Sequence, residues 1–146
     1  MMVTACASPV PTDRLASAGS ISQPESANLL TLITSPDPET QFMALTLTRS
    51  AMAAGASPRI LLCSAGGDLA LGNPPAPAIT PLKPSGLTPQ DLLKTLIADG
   101  VQSDVCAIYL PNRPIGPDAL IDGVGVAKPD DIGRLLANPG LRLFSF

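Results

Sequence analysis

The sequence predicts an α/β fold, namely a single-domain three-layer sandwich in which helices cover both faces of a mostly parallel sheet. Two observations indicate it. Short, almost continuous apolar runs with the length of buried strands recur along the chain, at 29–34, 59–63 and 104–110. Stretches with apolar residues at helical spacing lie between them, starting at Pro38 and Pro89. Strands that alternate with helices in this way are typical of a parallel sheet.

Size and composition indicate one folded domain preceded by a leader. The chain has 146 residues, of which 45% are hydrophobic, enough for one core rather than two. Residues 1–27 are rich in Ser, Ala, Thr and Pro and show little apolar periodicity, so we expect a flexible leader there. The predicted α/β domain therefore spans 28–146.

The first half of this domain predicts a strand, a helix and a second strand. The strand at 29–34 ends at a Pro-containing turn. Asp37 is the expected N-cap of the helix, Pro38 occupies its first position, and Gly55 ends it. The strand at 59–63 then returns parallel to the first strand through a right-handed crossover.

The second half continues the alternation after a long Pro-rich loop at 72–86. Thr88 is the expected N-cap of a helix that ends at Gly100. The remaining predicted elements are strand 104–110, short helix 118–123, short strand or loop 124–126, helix 130–136 and final strand 141–146. Folds of this kind place their sites at the carboxyl ends of the parallel strands.

Composition argues against several classes of function. The sequence contains no histidine, so imidazole bases, Cys-His dyads and His-ligated metals are not available to it. A net charge of -3, scattered Lys and Arg residues and 3% aromatic residues do not fit nucleic-acid binding. The apolar runs are shorter than the roughly 18 residues of a membrane span. Three cysteines without CxxC or metal spacing predict reduced thiols and no metal site, and no cofactor is implied.

Cys106 is the strongest candidate for a catalytic residue. It lies in a predicted buried strand just before a turn rich in Pro and Gly, so its thiol is expected at an open edge of the sheet. The alternative is a small hydrophobic core residue, the commonest role of a free cysteine. Cys63 ends the preceding strand and is expected near the same edge, where a buried structural thiol is the simpler interpretation.

Further neighbours of this thiol are predicted in two loops. Gly66 and Gly67 offer backbone amides to an anion, although two glycines in a loop more often serve turn geometry. Arg113 is the nearest cation in the sequence and is expected either to stabilise a thiolate or to be solvated in its turn. Asn112 belongs to the same turn.

The order and spacing of several segments resemble the DsrE/DsrF-like family of small α/β proteins, which includes bacterial sulfur carriers. The similar segments are Gly100-Val101, Cys106, the turn at 112–116, the run at 120–124 and the strand at 141–146. Two earlier stretches, 34–37 and 66–71, extend the resemblance to most of 28–146. The resemblance implies a homo-oligomer, often a trimer or hexamer, and a cysteine at position 106 that carries sulfane sulfur as a persulfide.

The chain departs from the family pattern at Tyr109. Family members most similar in the C-terminal half often have a second cysteine there, three residues after the first. Without it, the resemblance implies a one-thiol relay through Cys106 and no internal disulfide at the site. Sulfur donor and acceptor proteins are the implied partners. A mean hydropathy of +0.31 independently favours self-association.

The first residues bear on the location of the protein. Cys6 follows small residues and resembles the lipidation site of bacterial lipoproteins, but no charged and apolar signal segment stands ahead of it. We therefore expect a cytoplasmic protein. A periplasmic lipoprotein anchored through Cys6 is the alternative if signal residues are missing upstream.

Two functional hypotheses follow. In the first, the protein is a sulfur carrier or sulfurtransferase that accepts sulfane sulfur on Cys106 and passes it to a partner's cysteine. In the second, it is a non-catalytic oligomeric binding or assembly module of the same fold, in which Cys106 is a packing residue and loop 72–86 makes contacts. An accessible, reactive thiol favours the first hypothesis, and a fully enclosed thiol favours the second.

Overall fold

The computed structural model describes residues 28–146, and the predicted leader at 1–27 lies outside this range. One five-stranded sheet, with strand order β4-β3-β2-β1-β5, forms its centre. All neighbouring strands are parallel. The strands are β1 (Asn28–Ile33), β2 (Ser57–Leu62), β3 (Gln102–Val105), β4 (Val124–Val126) and β5 (Leu141–Ser145). The sheet and its helices confirm the predicted α/β fold.

Three α-helices connect these strands, and each begins with a proline in its first turn. They are α1 (Pro38–Ala53), α2 (Pro89–Ala98) and α3 (Pro129–Leu136). The predicted caps of the first two are confirmed. Asp37 accepts a hydrogen bond of 2.8 Å from the Thr40 amide, and Thr88 forms a capping box with Asp91. Shorter 3₁₀ helices span Ser64–Ala70, Ala76–Ile79 and Pro117–Ala119.

The sheet separates a large core from a small one. Alternate residues of β2 point to opposite faces, so Ile60 and Leu62 pack in the large core with α1 and α2, whereas Leu61 joins the small one. Around Leu61 lie Leu30, Ala127 and the apolar residues of α3. The three-layer arrangement therefore buries one face deeply and leaves the α3 face thinly covered.

A partly buried ion pair ties β2 to β3. The Arg59 guanidinium donates to Asp104 Oδ2 through Nε at 3.1 Å and Nη2 at 2.8 Å, and Gln102 donates to the same oxygen. The Asp104 side chain is only 9% exposed, so a shift of the β2–β3 register would leave its charge unpaired in the protein interior. The pair therefore favours one alignment of the two strands.

The structure corrects three predicted elements. The strand expected at 104–110 ends at Val105, and residues 107–114 form turns. The chain turns back at once, as the Tyr109 amide donates to the Cys106 carbonyl at 2.8 Å. The turn residues Tyr109 and Leu110 are nevertheless buried, which explains why this apolar run looked like a strand. Loop 72–86 contains a 3₁₀ helix, and the helix expected at 118–123 is a short 3₁₀ turn at Pro117–Ala119.

None of the helices within 28–146 has both the length and the apolar character that crossing a bilayer would require.

Candidate functional site

Cys63 and Cys106 meet at the carboxyl edge of the sheet. Leu62, the last residue of β2, is aligned with Val105, the last residue of β3, so the two cysteines that follow are neighbours. Their Cα atoms are 5.1 Å apart, and their sulfur atoms are paired as a disulfide. Hydrogen bonds of 2.9 Å from the Cys63 amide to the Ile33 carbonyl and from the Cys106 amide to the Leu62 carbonyl hold both backbones in place.

This pair overturns two sequence-based predictions. The spacing of the three cysteines predicted reduced thiols, and Tyr109 in place of a nearby cysteine implied no internal disulfide. The second sulfur comes instead from the adjacent strand, 43 residues earlier in the chain. Cys63 does lie next to Cys106 at one edge of the sheet, as expected from parallel strands, but as a bonded partner rather than a separate buried thiol.

The two sulfurs have different surroundings. Cys106 lines a surface groove of about 340 Å³ between the turn that follows it and α3. The other lining residues are apolar: Leu61, Ala107, Ile108, Ala127, Pro129, Ile132, Gly133 and Leu136. Both cysteines are half-buried and pack against the small core on the α3 face, but Cys63 does not line the groove. Of the two, Cys106 is therefore the one that a molecule in the groove would contact.

In the segments that follow the two cysteines, Asp68, Tyr109 and Arg113 form one polar cluster. The Tyr109 hydroxyl donates to Asp68 Oδ1 at 2.7 Å, and Arg113 Nε lies 3.3 Å from the same oxygen. The Arg113 guanidinium carbon lies 4.0 Å from the centre of the Tyr109 ring, and Nη2 donates to the Ser64 carbonyl at 3.0 Å. The cluster thus ties the turn after Cys106 to the segment after Cys63.

These contacts change the interpretation of Arg113 and Asn112. The Arg113 guanidinium is occupied by Asp68, Ser64 and the Tyr109 ring, so its contacts position the turn. Asn112 Nδ2 donates to the Ile108 carbonyl at 2.8 Å and closes the same turn. Asp68, which was not among the site residues predicted from the sequence, is the centre of the cluster. Its position directly after the Gly-Gly pair was the available signal.

The two glycines allow close packing at this point. A Cβ on Gly66 would lie 2.2 Å from the Ile33 carbonyl oxygen, and a Cβ on Gly67 would lie 2.2 Å from the Tyr109 ring. The Gly66 amide donates to the Thr34 carbonyl at 3.3 Å and so already has a partner. The pair therefore provides space for a strand end and an aromatic ring, in agreement with the turn-geometry alternative.

Burial governs the ionisation of Tyr109. The side chain is 2% exposed, and burial raises the pKa of its hydroxyl well above the ordinary value. The hydrogen bond to the Asp68 carboxylate and the negative charge of that carboxylate raise the pKa further, and Arg113 opposes them. The phenol therefore stays neutral at physiological pH and serves as a hydrogen-bond donor.

Within 28–146, no three His, Cys, Asp or Glu side chains are grouped so as to hold a metal ion. The chemistry that the site itself offers is that of a thiol pair beside an apolar groove. Such a pair can exist as two thiols or as one disulfide, and thiol–disulfide exchange interconverts these states.

Comparisons with known proteins support the fold. No protein-family model matches the chain, and neither does any curated protein sequence. Two solved structures are similar at 21% sequence identity, each over 82% of this chain. MTH1491 from Methanobacterium thermoautotrophicum, a protein of unknown function, matches over 99% of its own length with a TM-score of 0.60. YchN from E. coli, which has the DsrE/DsrF-like fold, matches over 100% of its length with a TM-score of 0.63.

Tyr109 is the chain's single tyrosine, so its ionisation can be followed directly. Its pKa is raised in the folded state, which means that folding favours the neutral phenol. This contribution to stability is complete below the unfolded pKa of about 10 and is lost as the pH rises above it. We expect the native chain to show tyrosinate absorbance only at a pH well above that value, and Asp68→Asn to lower the midpoint.

Tyr109→Phe is the control, because it removes the absorbance change and the matching fall in unfolding free energy at high pH. Titration of native Tyr109 at the ordinary value of about 10 would contradict the buried Asp68–Tyr109 contact.

The close packing of Gly67 gives a second prediction. Gly67→Ala places a methyl group against the buried Tyr109 ring, and we expect it to lower the free energy of unfolding by about 1–3 kcal/mol in denaturant titrations. Gly72→Ala is the matched control, since its Cβ would make an ordinary 3.6 Å contact with the Ala119 carbonyl oxygen. Equal effects of the two substitutions would show that the Tyr109 ring does not occupy this place.

Proposed function

We propose that this protein is a sulfur carrier or sulfurtransferase in which Cys106 accepts sulfane sulfur as a persulfide. One observation supports this most strongly: Cys106 lines an open groove at the carboxyl edge of a parallel sheet and has a second cysteine beside it. An accessible sulfur is what the carrier hypothesis requires and what a purely structural core cysteine would lack. The similarity of fold to YchN is compatible with the proposal.

The loading step is a displacement at sulfur. With the pair reduced, the Cys106 thiolate attacks the outer sulfur of a donor persulfide, R–S–SH. A bond forms between Cys106 Sγ and that outer sulfur while the donor's S–S bond breaks. The donor thiolate R–S⁻ leaves with the electron pair, and Cys106 is left as Cys106–S–SH. The outer sulfur then passes to an acceptor cysteine by the same type of displacement.

The surroundings of Cys106 support this role in two ways. The apolar groove that Cys106 lines gives the persulfide an apolar surrounding and leaves a path for the donor. The Asp68–Tyr109–Arg113 cluster anchors the turn that follows Cys106, so the sulfur is presented from a fixed backbone. Loading requires the reduced pair, which fits a reducing compartment such as the cytoplasm.

Exposed apolar side chains support the expected partners. Ile108 is 72% exposed at the mouth of the groove, and Leu136, on α3, is 51% exposed. On the outer strand β5, Leu143 and Phe144 are each nearly half exposed. A homo-oligomer such as a trimer or hexamer, together with sulfur donor and acceptor proteins, would cover such surface.

The second candidate function is a non-catalytic oligomeric assembly module. The disulfide itself favours this candidate, because a permanent link across 43 residues would stabilise the fold without any turnover. The two functions differ in the reactivity of Cys106. A carrier needs a thiol that reacts faster with persulfides than the other cysteines of the chain, whereas an assembly module does not.

Three single-cysteine chains test the proposal. We expect the chain that retains only Cys106, made by Cys6→Ser and Cys63→Ser, to gain one sulfur atom in intact-mass spectra after incubation with glutathione persulfide. The chain that retains only Cys63 is the matched control and should react more slowly, because Cys63 does not line the groove. The chain that retains only Cys6 gives the rate for a cysteine outside the described residues.

Circular dichroism establishes that all three chains are folded. The proposal fails if the Cys63-only chain gains sulfur as fast as the Cys106-only chain, or if no folded chain gains sulfur at all.

A further inference from the structure

We infer that Cys63 is a second catalytic thiol, which attacks the persulfide on Cys106 and releases its outer sulfur as hydrosulfide. This inference rests on the proposed function and extends it from a one-thiol carrier to a two-thiol reaction. The observation that carries it is the placement of Cys63 next to Cys106 at the end of the neighbouring strand.

Distance is the first requirement, and the backbone meets it. The Cα–Cα separation of 5.1 Å lies inside the range of about 4.4–6.8 Å that a disulfide needs. Both cysteines follow directly on paired strand ends, Leu62 and Val105, and both donate backbone hydrogen bonds of 2.9 Å. Cys63 can therefore bond to Cys106 without any rearrangement of the sheet.

Order of attack is the second requirement, and the different surroundings of the two sulfurs provide it. Cys106 lines the open groove and meets the donor. Cys63 packs with Cys106 against the small core but does not line the groove. A donor in the groove therefore loads Cys106 first, and Cys63 is left beside the loaded sulfur.

The second step balances in atoms and electrons. The Cys63 thiolate attacks Cys106 Sγ, the inner sulfur of the persulfide, and the Cys63–Cys106 bond forms. The bond between Cys106 Sγ and the outer sulfur breaks, and that sulfur leaves with the electron pair as HS⁻. The sulfane sulfur is reduced to sulfide while the two cysteine sulfurs are oxidised to a disulfide. A dithiol reductant then returns the pair to two thiols.

The disulfide is therefore the state that follows discharge and cannot be loaded until it is reduced. The persulfide on Cys106 has a limited lifetime, because Cys63 competes with the acceptor protein for it. The inference names a further partner by its chemistry: a protein or small molecule with two thiols that reopens the Cys63–Cys106 bond.

The test compares two chains that both carry Cys6→Ser, one with Cys63 and Cys106 and one in which Cys63→Ser leaves only Cys106. Each is reduced, freed of reductant and mixed anaerobically with one equivalent of glutathione persulfide. Hydrosulfide is trapped with a bimane reagent, and the protein is followed by intact-mass spectrometry.

We expect the two-thiol chain to lose two hydrogens in mass and to release close to one hydrosulfide per chain. The Cys106-only chain should keep the mass gain of one sulfur and release little hydrosulfide. A gain of the glutathione moiety by this chain, instead of sulfur alone, would show that the donor is attacked at its inner sulfur and would overturn the proposed loading step.

The two claims fail in different ways. If the two-thiol chain holds its persulfide as long as the Cys106-only chain does, Cys63 does not discharge it and the inference is wrong, while the carrier function stands. If the folded Cys106-only chain takes up no sulfur, the proposed function itself is wrong.

Discussion

The alignment of β2 with β3 is the constraint on which the site depends. Leu62 lies beside Val105, so the next residue of each strand is a cysteine facing a cysteine across 5.1 Å. A slip of one residue would move every side chain of β2 to the opposite face and separate the two sulfurs. The Arg59–Asp104 pair opposes such a slip, because loss of Arg59 would leave the charge of the buried Asp104 carboxylate unpaired. The Arg59–Asp104 ion pair and the Cys63–Cys106 pair are therefore two consequences of one register.

The packing around the cysteine pair differs between the two faces of the sheet. On the α1 and α2 side, Tyr109 and Asp68 anchor the turn after Cys106 in the large core. On the other side, the short helix α3 covers the sheet thinly and leaves a groove open next to Cys106. The buried side fixes the position of the Cys106 backbone, and the open side is where the proposed sulfur donor would approach.

Local patterns in the sequence predicted most of the fold. Continuous apolar runs marked β1 and β2, and the caps at Asp37 and Thr88 marked α1 and α2, because these signals depend only on neighbouring residues. The end of β3 was missed since the buried Tyr109 and Leu110 extend its apolar pattern into a turn. The nearness of Cys63 and Cys106 followed from the expected parallel strands, but their disulfide was not predicted because the spacing of the three cysteines favoured reduced thiols. Strand order and register depend on contacts between segments that are distant in sequence, so no short segment specifies them.

Cys63 and Cys106 are proposed to form a reversible pair in the native chain. Disulfide mapping of the folded protein tests this pairing: mild oxidation, alkylation of the remaining thiols, proteolysis and mass spectrometry, repeated after treatment with a dithiol reductant. We expect a peptide that joins Cys63 to Cys106 and an alkylated Cys6 before reduction, with all three cysteines alkylated afterwards. A link from Cys6 to either of the others, or alkylation of both Cys63 and Cys106 after oxidation, would contradict it.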